Sequence, residues 1–119
     1  MLNKNQLEKI DRLVKKVGDF QIHKQLRVVS SDIEEKSLNQ LVSFVDIDSE
    51  NMLVDGLSKI TPSAGFLTEE NTITQQNDKL YWIIDPLDGT TNYLFGHSKY
   101  SISLALYQNK KPVLSLIHI

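Results

Sequence analysis

Tyr81-Trp82-Ile83-Ile84-Asp85-Pro86-Leu87-Asp88-Gly89-Thr90-Thr91-Asn92-Tyr93 is the stretch whose reading decides the fold. Four apolar residues, Tyr81 to Ile84, stop at Asp85, as in a buried strand leaving a core. Pro86 biases Asp85 toward extended backbone and fixes its own φ, so the following turn has little freedom. Asp88 comes next, and Gly89-Thr90-Thr91-Asn92 supplies backbone N–H groups and hydroxyls. Two carboxylates on a rigid turn at a strand end suit a hard divalent cation such as magnesium, which takes oxygen ligands and demands near-ideal geometry. If a helix begins near Thr90, the free N–H groups of its first turn form an anion site beside that ion. A cation next to an anion pocket points to phosphate. The same residues are also ordinary turn formers, since Asp-Pro and Asp-Gly each favour turns for local reasons.

Composition sets the limits around this stretch. The 119 residues, 40% of them hydrophobic, carry a formal charge of −2. That allows one domain, 1–119, with a modest core. No basic excess suggests nucleic acid, and no apolar run approaches membrane-spanning length. The N-terminus lacks the apolar centre of a secretory signal. The absence of cysteine excludes disulfides and thiolate metal sites and fits a cytoplasmic protein.

Working outward, residues 3 to about 24 read as an amphipathic helix with Leu7, Ile10, Val14 and Val17 on one stripe and Asn3 or Asn5 as its cap. Val28-Val29 suggests a short strand, and residues 30–35 the start of a helical turn. A second helix is expected from Ser43 to about Ile60. On it Asp46 and Glu50 lie one turn apart and share a face with Leu53 and Leu57. Carboxylates continuous with an apolar stripe need partners, although a helix N-terminus also attracts acidic side chains through its dipole. Thr61-Pro62-Ser63-Ala64-Gly65 breaks that helix, and Phe66-Leu67 is a short strand leading to Glu69-Glu70. Residues 71–79 read as an exposed hairpin or loop, and His97 as a lone surface histidine. Tyr100–Tyr107 and Val113–Ile119 read as a hairpin joined by residues 108–112.

Asp-Pro-Leu-Asp-Gly-Thr-Thr-Asn-Tyr, residues 85–93, resembles at every position the signature of the inositol monophosphatase family, magnesium-dependent and lithium-sensitive phosphomonoesterases. Haloacid-dehalogenase-type phosphatases have Asp-x-Asp-Gly-Thr instead. Here Pro86 and Leu87 separate the carboxylates, which by the period of two in an extended chain changes the second one's relative direction. The covalent mechanism of that group is the weaker reading. The resemblance implies an α+β fold, the layered αβαβα sugar-phosphatase architecture, with two helices packed on a mostly antiparallel sheet in the N-terminal half.

Other segments extend the resemblance. Val42-Ser43-Phe44-Val45-Asp46-Ile47-Asp48-Ser49-Glu50 is similar to the family's Val-Thr-x-x-Asp-x-x-x-Glu. Lys36 falls where the family has a lysine in a mobile loop near the metals. Thr68-Glu69-Glu70 matches Gly-Glu-Glu, with threonine replacing the glycine, which puts in question any backbone geometry needing φ > 0. By that match Glu69, Asp85 and the Leu87 carbonyl hold one magnesium, and Asp85 bridges to a second with Asp88; two or three ions are expected in all. Thr90, oriented by Asp46, positions the attacking water, and Glu69 belongs with these two to the catalytic set. Gly89, Thr90 and Thr91 bind the substrate phosphate, and Glu50 is a further candidate beside Asp46.

Family members run to about twice this length and take another metal-binding aspartate from a Trp-Asp motif in their second half. The chain is therefore expected to be the N-terminal half of a longer protein. The implied substrate is inositol monophosphate or a related sugar or polyol phosphate, because bisphosphate nucleotidases commonly have Asp-Gly-Thr-Lys-Glu-Phe where this chain has Asp-Gly-Thr-Thr-Asn-Tyr. Fructose-bisphosphatase-type relatives remain an alternative. So does a truncated, non-catalytic module that binds cation and anion or acts by association. The family is often dimeric, so a homodimer is expected, with no nucleic-acid or membrane partner.

Overall fold

The computed structural model describes residues 2–29, 35–68, 79–89, 93 and 100–118, and their side chains apart from those of 26–29 and 35–43. Helix α1 (Lys4–Val29) is opened by Asn3. The Asn3 side chain accepts the Gln6 N–H at 2.8 Å, and the Asn3 N–H donates to Gln6 Oε1 at 2.9 Å. This reciprocal capping box selects Asn3 over Asn5 as the cap. The helix continues through Val28-Val29, where a strand is expected from sequence. No proline or glycine follows Gly18 within it, and the β-branched pair costs helix only tenths of a kcal/mol, about 0.5 per residue. Ile10, Val14 and Val17 are buried, whereas Leu7 is 42% exposed. The stripe runs on instead to Gln21, which is buried.

Helix α2 (Glu35–Ile60) starts eight residues ahead of the expected Ser43. Lys36 is thus part of a helix and not of a loop, since nothing between it and Asp55 is a glycine or proline. Glu50, Leu53 and Leu57 are fully buried and Asp46 half-buried, as a shared inward face requires. At Gly56 an added Cβ would lie 2.6 Å from the Leu13 methyls, so the Leu13 side chain of α1 packs directly on the α2 backbone there. Among the described residues no helix is long and apolar enough to cross a membrane.

The helices cover one face of a four-stranded sheet: β1 (Gly65–Thr68), β2 (Leu80–Asp88), β3 (Ser101–Gln108) and β4 (Lys111–His118), in that order. β1 runs parallel to β2, and the other pairings are antiparallel. Phe66, Trp82, Ile84, Ile102, Leu104 and Leu106 join Ile10, Val14, Val17, Leu53 and Leu57 in one core. Leu67, Ile83 and Ile117 are exposed on the opposite face. Asn109 and Lys110, with φ of 53° and 65°, make a two-residue hairpin turn, tighter than the five residues expected. Pro112 accordingly lies within β4, an edge strand that can spare its N–H.

One end of this layered structure is closed by short-range polar contacts. Trp82 Nε1 donates to Thr61 Oγ1 at 3.0 Å, and that hydroxyl donates to the Leu57 carbonyl at 2.8 Å. Gln6 Nε2 from α1 caps the Ile60 carbonyl at 3.1 Å. A cavity of about 290 Å³ opens nearby, lined by Leu2, Gln6, Thr61, Leu80, Gln108 and Leu114 among others. It faces the beginning of β2, away from the aspartates.

Candidate functional site

At the other end, β2 does not stop at Asp85 as the apolar run suggests but stays in the sheet to Asp88. Asp85 pairs with Ser103 and Asp88 with Ser101, so Pro86 and Leu87 together oppose Ile102. This is a β-bulge, two residues against one. In a regular strand residues three apart face opposite ways. The extra residue returns Asp88 to the face of Asp85, the one carrying Ile83 and turned from the helices. Burial records the same step, with Pro86 and Leu87 both buried between half-buried Asp85 and exposed Asp88. The change in relative direction expected from the Asp-x-x-Asp spacing is therefore cancelled, because that expectation assumes an unbroken period of two.

Gly89 follows with φ of 87°, a left-handed conformation that glycine alone adopts without steric cost. Its carbonyl accepts the Tyr93 N–H at 3.0 Å, the i to i+4 bond of a helical turn. Tyr93 is itself helical, so this bond has the form expected where a helix opens beside an anion site.

The bulge and turn are braced from behind by α1. Gln21 Nε2 donates to the Pro86 carbonyl at 2.6 Å and to Ser49 Oγ of α2 at 3.1 Å. The Gln21 carbonyl accepts the Tyr93 hydroxyl at 2.8 Å. One turn further, Gln25 Nε2 donates to the Tyr93 carbonyl at 3.1 Å, and Gln25 Oε1 accepts the Tyr100 hydroxyl at 3.3 Å. The rings of Tyr93 and Tyr100 meet edge to face, centroids 5.0 Å apart. Burial raises the Tyr93 phenol well above the usual tyrosine value, and the nearby Tyr100 and Asp46 add to this. Burial likewise raises Tyr100. The influence of Asp46 on Tyr93 puts the acidic stretch of α2 at this same end.

The structure thus gathers Asp46, Glu50, Asp85, Leu87, Asp88 and Gly89 at one end of the sheet. Glu69, Thr90 and Thr91, expected in the same site, lie outside the described residues, as does the side chain of Lys36. Among the described residues no three His, Asp or Glu side chains form a group able to hold an ion. Two carboxylates on one face and a backbone carbonyl between them are nevertheless all hard oxygen donors, the kind magnesium takes and thiophilic metals do not. Thr68, standing at the family's glycine position, sits in β1 paired with Ile84 and has no positive φ. No glycine-only geometry is needed there.

Reading the sequence misses Gln21, Ser49 and Gln25, and assigns Tyr93 no role. The available signal is a polar residue at a stripe position: Ile10, Val14, Val17 and Gln21 follow spacings of four, three and four.

The family model described as inositol monophosphatase family matches residues 3–119. The Escherichia coli 3'(2'),5'-bisphosphate nucleotidase CysQ is 28% identical over 94% of this chain and 47% of its own length. The Thermotoga maritima fructose-1,6-bisphosphatase/inositol-1-monophosphatase is 35% identical over 90% of this chain and 41% of its own. The Nus factor SuhB of Xylella fastidiosa is 41% identical over 70% of this chain and 30% of its own. Among solved structures, the extragenic suppressor protein suhB from Bartonella henselae superposes with a TM-score of 0.74 at 26% identity, over 94% of this chain and 44% of that one. Inositol monophosphatase II from Staphylococcus aureus does so with a TM-score of 0.70 at 25% identity, over 94% and 41%. The chain spans about half the length of the curated relatives it matches.

Proposed function

Because this chain belongs to the inositol monophosphatase family, we propose that it carries the metal- and phosphate-binding part of a magnesium-dependent phosphomonoesterase acting on inositol monophosphate or a related sugar or polyol phosphate. The observation that carries this reading is the bulge at Pro86-Leu87, which puts Asp85 and Asp88 on one face immediately before the Gly89 turn. A bulge beside an active site typically re-aims side chains.

Asp85, Asp88 and the Leu87 carbonyl, with Glu69, would hold magnesium. When bound, the ion supplies Lewis acidity toward water and phosphate oxygens. The N–H of Gly89, with Thr90 and Thr91, would bind the phosphate oxygens at the start of the helical turn, where backbone donors have no partner in the helix itself. Asp46 would accept the Thr90 hydroxyl proton in a hydrogen bond, leaving the hydroxyl oxygen to orient the attacking water. Glu50, one turn after Asp46 on α2, is fully buried. The chain offers no cysteine and no serine-histidine elbow as nucleophile, and by the family resemblance Asp85 and Asp88 would serve as metal ligands, in place of the nucleophilic aspartate of haloacid-dehalogenase-type enzymes.

The similarity to CysQ supports a second reading, a 3',5'-bisphosphate nucleotidase. A third reading is an associating module, a role in keeping with relatives named as Nus factors. Phosphate release measured over inositol 1-phosphate, a nucleoside 3',5'-bisphosphate and fructose 1,6-bisphosphate, with magnesium and with a chelator, separates the three. Magnesium-dependent release fastest from inositol 1-phosphate is expected. Preference for the nucleotide would give the second reading, and no release from any substrate would overturn the enzymatic one.

A further inference from the structure

Gln21 is 1% exposed and lies at a position of the α1 stripe that a leucine would fill equally well. Burying an amide there is favourable only if its hydrogens and oxygen are bonded. The need arises in the bulge. Its extra residue leaves the regular ladder, and proline contributes a carbonyl but no N–H. Gln21 Nε2 takes up that carbonyl at 2.6 Å. Since the peptide unit is planar, holding the Pro86 carbonyl also fixes the plane carrying the Leu87 nitrogen, the middle of the bulge. The remaining contacts of Gln21, to Ser49 and Tyr93, tie the same point to α2 and to the residue that bonds back to Gly89.

We propose that Gln21 is a positioning residue for the metal end of the site, holding the Pro86-Leu87 bulge in the geometry that keeps Asp85 and Asp88 on one face. The inference rests on the function proposed above. It differs from a packing role in one measurable respect: loss of the amide weakens metal binding beyond what loss of stability explains.

Titration with Mn2+ followed by electron paramagnetic resonance of the free ion tests this without any turnover. Gln21→Met, close in volume but without a donor, is expected to weaken Mn2+ binding about tenfold, the lower end of what removing an outer-shell partner costs a metal site. Leu57→Val, which loosens the core at the far end of α2, is expected to lower Tm while leaving Mn2+ affinity within about twofold, because distant sites act nearly independently. If Gln21→Met does not fold, Gln21→Asn carries the test. Its shorter amide cannot serve both acceptors, and a weakening of about threefold is expected, between the wild type and full loss of the donor. Wild-type affinity in a folded Gln21 variant would overturn the inference and leave the phosphatase reading standing. Equal weakening by Leu57→Val at equal loss of Tm would do the same. A wild-type protein that binds no Mn2+ would remove the phosphatase reading itself, and the inference with it.

Discussion

The two ends of the sheet are built from the same strands and helices yet bury different chemistry. Where β2 begins, Thr61 is the buried polar side chain among the described residues, and its hydroxyl is satisfied locally by the Trp82 indole and the Leu57 carbonyl. Where β2 ends, Gln21, Ser49, Glu50 and Thr68 are all buried. The aspartate end keeps an amide, two hydroxyls and a carboxyl out of water, which stabilises only if each is bonded. That asymmetry is the mark of an end shaped for something besides folding.

The sharpest way to break the contrast is Asp85→Asn. It removes one ligand charge at the aspartate end and is expected to lower magnesium-dependent phosphate release about a thousandfold, at the scale of losing one electrostatic stabiliser from a preorganised site, with little change in Tm. Activity near wild type would mean that this end is scaffold like the other. Leu57→Ala tests the converse. It should cost about 2–5 kcal/mol of stability in urea unfolding while leaving Mn2+ affinity of the folded protein unchanged, and a parallel loss of affinity would merge the two ends into one.

The smallest effect concerns Tyr93. Its phenol loses a proton less readily in the folded chain than in the unfolded one, so folding favours the neutral form. That stabilisation is complete below the ordinary tyrosine value of about 10 and is lost as the pH climbs past it toward the folded value. Tyr93→Phe deletes the bond to the Gln21 carbonyl and should cost about 1 kcal/mol at neutral pH. Above pH 10 the variant should decline less steeply than the parent, and parallel profiles would remove Tyr93 from the account of this end.

How much of this is written in the residue order differs by level. The strand at Tyr81–Ile84, the stripe through Ile10, Val14 and Val17, and the shared face of Glu50, Leu53 and Leu57 follow from periodicity, which local spacing carries. The Asp85–Tyr93 string carries the family. Helix lengths are misjudged at Val28-Val29 and before Ser43, because weak propensities yield to tertiary packing. The bulge is invisible to spacing, since it depends on Ser101 and Ser103 across the sheet and on a glutamine more than sixty residues away in the chain. Gln21 escapes notice for the same reason: its value lies in a carbonyl that only the folded structure brings near.

The single tryptophan of the chain gives this architecture an optical consequence. Trp82 is wholly shielded, with its indole N–H engaged, so its emission should shift to the red when the core opens. Tyrosine absorbance in alkali sums four rings, and the raised phenols of Tyr93 and Tyr100 should give it a late step that belongs to the bulge end. One chromophore reports whether the chain is folded and the other whether the aspartate end is intact, without attaching a dye.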